Sequence, residues 1–183
     1  MNTQKIIKQV EGEKIIILPF YKELITNRYV NWFKDEKINY YLQYQGEETT
    51  LDDIRTYVHD LLSNGHYFFA VLDKETKLHI GNVRIEIISK YAHIGKFSMI
   101  IGDSNYHGKG IGTEVVKLVI DIAFNQIKLR KLTVDVVSEN TPAVRVYEKN
   151  NFIIEGRLKE CFFKHNKYFD FLTMSIFNRN FEE

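Results

Sequence analysis

Apolar residues return along this chain at two periods, one near 2 and one near 3.6 residues, and the switches between them outline its elements. Residues 13–18 are a short apolar run ended by Pro19 and read as a first strand. From residue 20 to 42 the spacing turns helical, with Leu24, Tyr29, Trp32 and Phe33 near one face. A break at Lys34-Asp35 divides that stretch into two short helices. Residues 51–62 read as a longer helix with Leu51, Ile54, Val58, Leu61 and Leu62 inward, and Asn64-Gly65 ends it. Strands follow at 67–72, 79–88 and 94–101; in the second, Val83, Ile85 and Ile87 alternate with Arg84 and Glu86, so one face is polar. A long amphipathic helix then carries Ile111, Val115, Leu118, Val119, Ile122 and Ile127 on its apolar side. Glu114, Lys117, Asp121, Asn125 and Lys128 form its polar stripe. Residues 131–137 read as a further strand and 141–150 as a short helix, with Thr141 able to cap it and Pro142 in its first turn. Asn150-Asn151 closes that helix, asparagine tolerating the left-handed conformation. The last strands, 152–158 and 168–176, pair around residues 164–167.

Between the strand at 94–101 and the long helix lies His107-Gly108-Lys109-Gly110-Ile111-Gly112-Thr113. Strand, glycine-rich turn and helix together make an anion site: the first-turn amides lack intrahelical partners, and the helix dipole favours negative charge. Glycines let the backbone approach a phosphate closely and adopt positive φ. The P-loop pattern fails, because Lys109 is followed by Gly110 where Ser or Thr is needed. The dinucleotide fingerprint fails too: the third glycine arrives one residue early, and Asp135, near the distance of a ribose-binding acid, sits inside a strand. A helix entry with no ligand is the plain alternative for this stretch alone.

A second segment narrows the choice. Residues 138–152, with Asn140, Pro142, Ala143 and Tyr147 on a short helix after a strand, resemble the second signature of the Gcn5-related N-acetyltransferase (GNAT) family. His107, Gly110 and Gly112 resemble its first, with His107 at a position usually Gln or Arg. The resemblance runs from about Ile15 to Phe177 in the order of the elements. It implies an α/β (α+β) fold: a mixed, mostly antiparallel, twisted sheet of about seven strands, splayed between the fourth and fifth and flanked by about four helices. It also implies acetyl-CoA as co-substrate. Pantetheine would lie between Met99-Ile100-Ile101 and the strand at 131–137, the pyrophosphate on the amides of Gly108, Lys109, Gly110, Ile111, Gly112 and Thr113. Asn140 would hydrogen-bond pantetheine or neighbouring backbone beside Ala143, and Tyr147 would be the general acid for the leaving thiolate. A phenol, with its reference pKa of about 10, stays protonated at neutral pH.

Composition bounds the rest. The chain has 183 residues, 44% of them hydrophobic, and is expected to be a single N-acetyltransferase domain over 1–183. A net charge of +1 calls for neither nucleic acid nor an anionic membrane, and there is no apolar run of spanning length. The single cysteine, Cys161, excludes an intramolecular disulfide, and the expected location is cytoplasmic. Cys161 is expected buried or half-buried in a strand and uninvolved in transfer. Histidines 59, 66, 79, 93, 107 and 165 have no metal-ligand spacing, so no metal is expected. The expected partners are a small-molecule amine and, in assembly, a second copy of the chain as a homodimer.

The acceptor is read from less. Many members of the family carry a Glu on the fourth strand as general base, and here Lys96 stands in that place; Glu86, Glu47 and Glu48 are weak substitutes. The acceptor is expected over residues 40–48 and beside 161–168, both rich in aromatic side chains that can stack on a sugar or base. A primary amine of a small metabolite is expected, an amino sugar first. A protein N-terminus such as that of a ribosomal protein and a polyamine are the alternatives, ahead of a non-enzymatic acyl-CoA-binding module.

Overall fold

The structure, a computed structural model, describes residues 7–42 and 49–182. Eight strands form one sheet in the order β1-β2-β3-β4-β5-β6-β8-β7. They are β1 (Val10–Glu11), β2 (Ile15–Pro19), β3 (Tyr67–Asp73), β4 (His79–Ser89), β5 (Ile94–Ile101), β6 (Lys131–Val137), β7 (Ile153–Lys164) and β8 (Lys167–Phe177). Neighbours are antiparallel except β5 and β6, which are parallel. The α-helices are α1 (Asn27–Trp32), α2 (Glu36–Asn39), α3 (Leu51–Ser63), α4 (Ile111–Asp121) and α5 (Thr141–Lys149). The strand beyond the expected seven is the two-residue β1, too short to leave a periodic signal; the described helices number five against about four because the break at Lys34-Asp35 makes α1 and α2 separate.

Side-chain alternation divides the sheet into two faces. One buries Ile15, Ile17, Phe69, Val83, Ile85, Phe97, Leu132 and Val134 against Ile111, Val115 and Val119 of α4, Ile122 just after it and Tyr147 of α5. The other buries Ile16, Phe68, Ala70 and Leu72 against Tyr29, Val30 and Trp32 of α1 and Ile54, Val58 and Leu61 of α3. The first elements of the chain thus cover only the β2–β4 half of that second face. Trp32 closes over the end of β5 so tightly that a Cβ on Gly102 would lie 1.9 Å from its ring.

Several boundaries fall where the periodicity put them, including β5, β6 and the break between α1 and α2. Asp35 caps α2 by accepting from the Lys37 N–H at 2.9 Å. Thr50 and Asp53 form a reciprocal capping box on α3. Asn151 does take the left-handed conformation after α5, with φ 64°. Two stretches differ. After α4 the helix widens over Ile122–Gln126 into π geometry, with Ile127 N–H bonded to the Ile122 carbonyl at 2.9 Å; the wider turn lets Ile122, Ala123 and Ile127 all face the core. And β7 runs on to Lys164, well past residue 158, because a bulge between Leu158 and Phe162 restores pairing with β8.

A buried histidine opens β4 and packs against α1. The His79 ring, 7% exposed, lies among Phe20, Tyr29 and Trp32, with Nε2 2.9 Å from Asn82 Oδ1. Burial pushes its pKa down. The unfolded chain therefore takes up a proton near pH 6.5 that the folded chain resists, so this contribution to stability is full above that pH and falls away as pH drops. Urea unfolding at pH 7.5 and 5.5 is expected to show lower stability at the acid pH, and His79→Phe to narrow that difference.

Candidate active site

β5 and β6 pair only at their beginnings. The register runs Ile94 with Lys131, Gly95 with Leu132 and Lys96 with Thr133, and then stops. β5 stays paired with β4 through Ile101, and β6 with β8 through Val137, so the two strands diverge while each keeps its outer neighbour. The His93 carbonyl faces β6 and the Gly102 N–H faces β4. By strand alternation the backbone groups of Phe97, Met99 and Ile101 then point into the gap. A row of amides without a strand partner beside a gap can polarise a carbonyl placed there.

The glycine-rich turn stands at the open end of the gap. After β5 a short 3₁₀ turn, Ser104–Tyr106, is held by Asp103 accepting from the Asn105 N–H at 3.0 Å. His107 Nε2 lies 2.8 Å from the Ile101 carbonyl, tying the turn back to the end of β5. Gly108 and Gly110 have φ of 72° and 82°, and nothing would meet a Cβ on either, so conformation rather than space requires glycine there. The first intrahelical bond of α4 runs from Glu114 N–H to the Gly110 carbonyl at 3.1 Å. The amides of Ile111, Gly112 and Thr113 ahead of it are left facing outward from the helix end, an anion cradle. A Cβ on Gly112 would lie 3.7 Å from Met99 and from Val146, which places this glycine between β5 and α5. Lys109 is exposed, its carbonyl accepting from Lys14 Nζ at 3.2 Å.

α5 forms the far wall. Its cap is Asn140, whose Oδ1 accepts from the Ala143 N–H at 3.4 Å, rather than Thr141, which already lies in the helix; asparagine is among the best capping residues. Asn140 Nδ2 has no partner among the described residues and can donate to a ligand. Tyr147, in the second turn, is 5% exposed. Its ring meets Phe97 of β5 edge-on at 5.7 Å and Phe152 at 5.8 Å. Burial pushes its phenol further up, so the proton is held firmly at neutral pH. The gap, the cradle, Asn140 and Tyr147 are therefore brought to one place.

On the opposite face, at the mouth of the gap, Lys96 forms an ion pair with Asp135 of β6, whose other oxygen accepts from Thr173 Oγ1 at 2.8 Å. Glu86, one of the substitute bases considered, is paired with Arg84 at 2.9 Å. Glu47 and Glu48 lie outside the described residues, as does most of the loop expected over the acceptor. The end of α2 is bound to the last hairpin: Lys164 Nζ donates to the carbonyls of Asn39 and Leu42 at 2.6 and 3.0 Å, and Tyr40 stacks on His165 at 4.4 Å. Cys161, expected buried or half-buried, is exposed, as is most of the edge strand β7. Sequence reasoning passed over Asp135 as a site residue. Its signal was a carboxylate between Val134 and Val136 in a strand.

No group of three or more His, Cys, Asp or Glu among the described residues is arranged to hold a metal ion, and no described helix is long and apolar enough to cross a membrane. Residues 15–153 match the model of the acetyltransferase (GNAT) domain. The chain is 29% identical over 178 residues to spermidine N(1)-acetyltransferase of Vibrio cholerae, covering 96% of this chain and 94% of that one. The crystal structure of spermidine N-acetyltransferase from Vibrio cholerae in complex with CoA and spermine superposes with a TM-score of 0.82 at 24% identity, over 93% of this chain and 99% of that one. Ribosomal-protein-S5-alanine acetyltransferase from Vibrio fischeri does so with a TM-score of 0.81 at 20% identity, over 96% and 99%. The chain belongs to the GNAT acetyltransferase family and is an N-acetyltransferase that uses acetyl-CoA.

Proposed function

We propose that this enzyme moves an acetyl group directly from acetyl-CoA to a primary amine of a small metabolite. The divergence of β5 from β6 beyond Lys96 and Thr133 is the observation that carries the reading. In it, the pyrophosphate lies on the amides of Gly108 to Thr113 and pantetheine runs between Met99-Ile100-Ile101 and β6. Asn140 holds pantetheine, and Tyr147 protonates the departing sulfur. Asn140 and Tyr147 together argue against a module that only binds acyl-CoA.

For the acceptor, a polyamine takes precedence over the amino sugar first expected. Similarity along nearly the whole chain to a spermidine acetyltransferase supports it. The amino sugar stays as the second reading, supported by the exposed rings at the hairpin: Tyr40, Phe163 and Tyr168 are 43, 47 and 60% exposed and can stack on a base. A second copy of the chain is the expected partner in assembly. Exposed Ile153, Ile154 and Leu158 on the edge strand β7 support it.

Thiol release from acetyl-CoA, followed in parallel with spermidine, nucleotide-linked amino sugars and short N-terminal peptides, tests the proposal. Spermidine is expected to turn over fastest. Turnover of the peptides alone would contradict the small-molecule reading. Cys161→Ala is expected to keep full activity; a stable acetyl adduct on the wild-type protein, absent from that variant, would contradict direct transfer.

A further inference from the structure

An aliphatic amine reaches the enzyme as an ammonium ion, with a pKa of about 10 for an unperturbed primary amine, and must lose a proton before its lone pair can attack. Lys96, at the position where a carboxylate is usual, cannot take that proton while it is charged. The carboxylate is present nonetheless, one strand over. Asp135 lies on β6 where the strands part, its side chain 19% exposed, with one oxygen on Lys96 Nζ and the other on Thr173 Oγ1. Continuing the register from Lys96 with Thr133 by two residues puts Asp135 level with Ser98. That is two residues short of Ile100, about 7 Å along the strand, a separation that the aspartate side chain and a bridging water cover together.

We infer that Asp135 is the proton acceptor for the incoming amine, and that Lys96 and Thr173 are positioning residues that aim its carboxylate at the gap. This rests on the amine-acetylation reading above. The ammonium gives one proton to Asp135, directly or through water, and Asp135 later releases it to solvent. The freed lone pair forms the N–C bond at the thioester carbonyl. As the C–S bond breaks, the second proton lost by nitrogen replaces the one Tyr147 delivers to sulfur. The products are the amide, the thiol of CoA and one proton. Lys96 adds a second effect: a cation beside the acceptor disfavours a second cation, which favours the neutral amine.

Among the described residues, other charged groups on this face form ion pairs of their own. On β4, Arg84 pairs with Glu86 at 2.9 Å and donates to Tyr57 Oη of α3 at 3.3 Å. Lys131 of β6 pairs with Glu155 of β7 at 2.5 Å, beside Ser175 of β8 at 2.7 Å. Glu139 pairs with Lys167 at 2.7 Å. Asp135 is the carboxylate among them that stands where the strands diverge.

The test is the pH dependence of kcat with acetyl-CoA and whichever of spermidine, amino-sugar nucleotide or peptide turns over best. Asp135→Asn is expected to lower kcat at pH 7 about a hundredfold. Its rate should then climb about tenfold per pH unit towards the amine's own pKa, since solvent takes over the deprotonation. Affinity for acetyl-CoA should be unchanged, and Asp135→Glu should regain the flatter wild-type profile. Thr173→Val, which frees one carboxylate oxygen and leaves the ion pair, should lower kcat while leaving acetyl-CoA affinity alone, and serves if the asparagine variant fails to fold. An active wild type with unchanged kcat and pH profile in Asp135→Asn, or in Thr173→Val where that variant stands in, overturns the inference alone. A wild type that binds acetyl-CoA and acetylates none of the amines overturns the proposed function, and this inference with it.

Discussion

Replacing Gly110 or Gly112 by aspartate is expected to weaken acetyl-CoA binding at least about a hundredfold, a loss of about 2.7 kcal/mol or more. Two physical effects combine. Gly110 has φ 82°, where a non-glycine residue costs about 1–2 kcal/mol, although asparagine and aspartate suffer least. The larger effect is electrostatic. A carboxylate at either position stands among amides that would otherwise donate to the pyrophosphate, and charge-assisted bonds of that kind are worth about 1.5–3 kcal/mol each. At Gly112 the Cβ itself has room, 3.7 Å from Met99 and Val146, so the variant should fold while its carboxylate sits beside the proposed pantetheine path. Titration calorimetry reads the result directly. Alanine at Gly112 is the control: ordinary contact distances and no charge should leave most of the affinity in place. Unchanged affinity in both aspartate variants would remove the site from the cradle.

Tyr147→Phe is expected to lower kcat about a hundredfold and leave the affinity for acetyl-CoA nearly intact. The phenylalanine ring keeps the edge-on contact with Phe97 at 5.7 Å and the packing on Phe152, so the fold should hold. What goes is the hydroxyl, which in the proposed role meets the sulfur mainly as negative charge develops there, and an interaction made only in the transition state appears in kcat. Burial, which keeps this phenol protonated, also means that its removal leaves no buried charge behind. Stopped-flow turnover alongside binding calorimetry separates the two quantities. Equal turnover in the phenylalanine variant would assign Tyr147 to packing in the core.

Much of this site was legible because its parts are local. The turn from His107 to Thr113 and the helix from Asn140 to Tyr147 each carry their chemistry within one short stretch, and the flanking strands β5 and β6 are apolar enough to be bounded by composition. What escaped depends on pairing across distance. The bulge that carries β7 on to Lys164 satisfies β8, and nothing in residues 158–164 alone signals it. The exposure of Cys161 goes with the place of β7 at the sheet edge, where little covers it. The π-turn after α4 keeps both Ile122 and Ile127 inside, so the apolar spacing looked helical throughout. Asn140 was read as a ligand-binding residue and caps α5 instead of its neighbour Thr141, to which that task was assigned; its Nδ2 has no partner among the described residues. Lys96 looked like a missing base because its partner lies 39 residues on, across the strand divergence.

The central claim is that the thioester lies in the gap between β5 and β6 with its sulfur at Tyr147. A crystal structure of the enzyme with CoA tests it most directly. The account predicts pantetheine between Met99-Ile100-Ile101 and β6, the pyrophosphate on the amides of Gly108 to Thr113, and the sulfur within hydrogen-bonding distance of the Tyr147 hydroxyl. CoA bound elsewhere, or a sulfur turned away from Tyr147 towards Cys161, would contradict it.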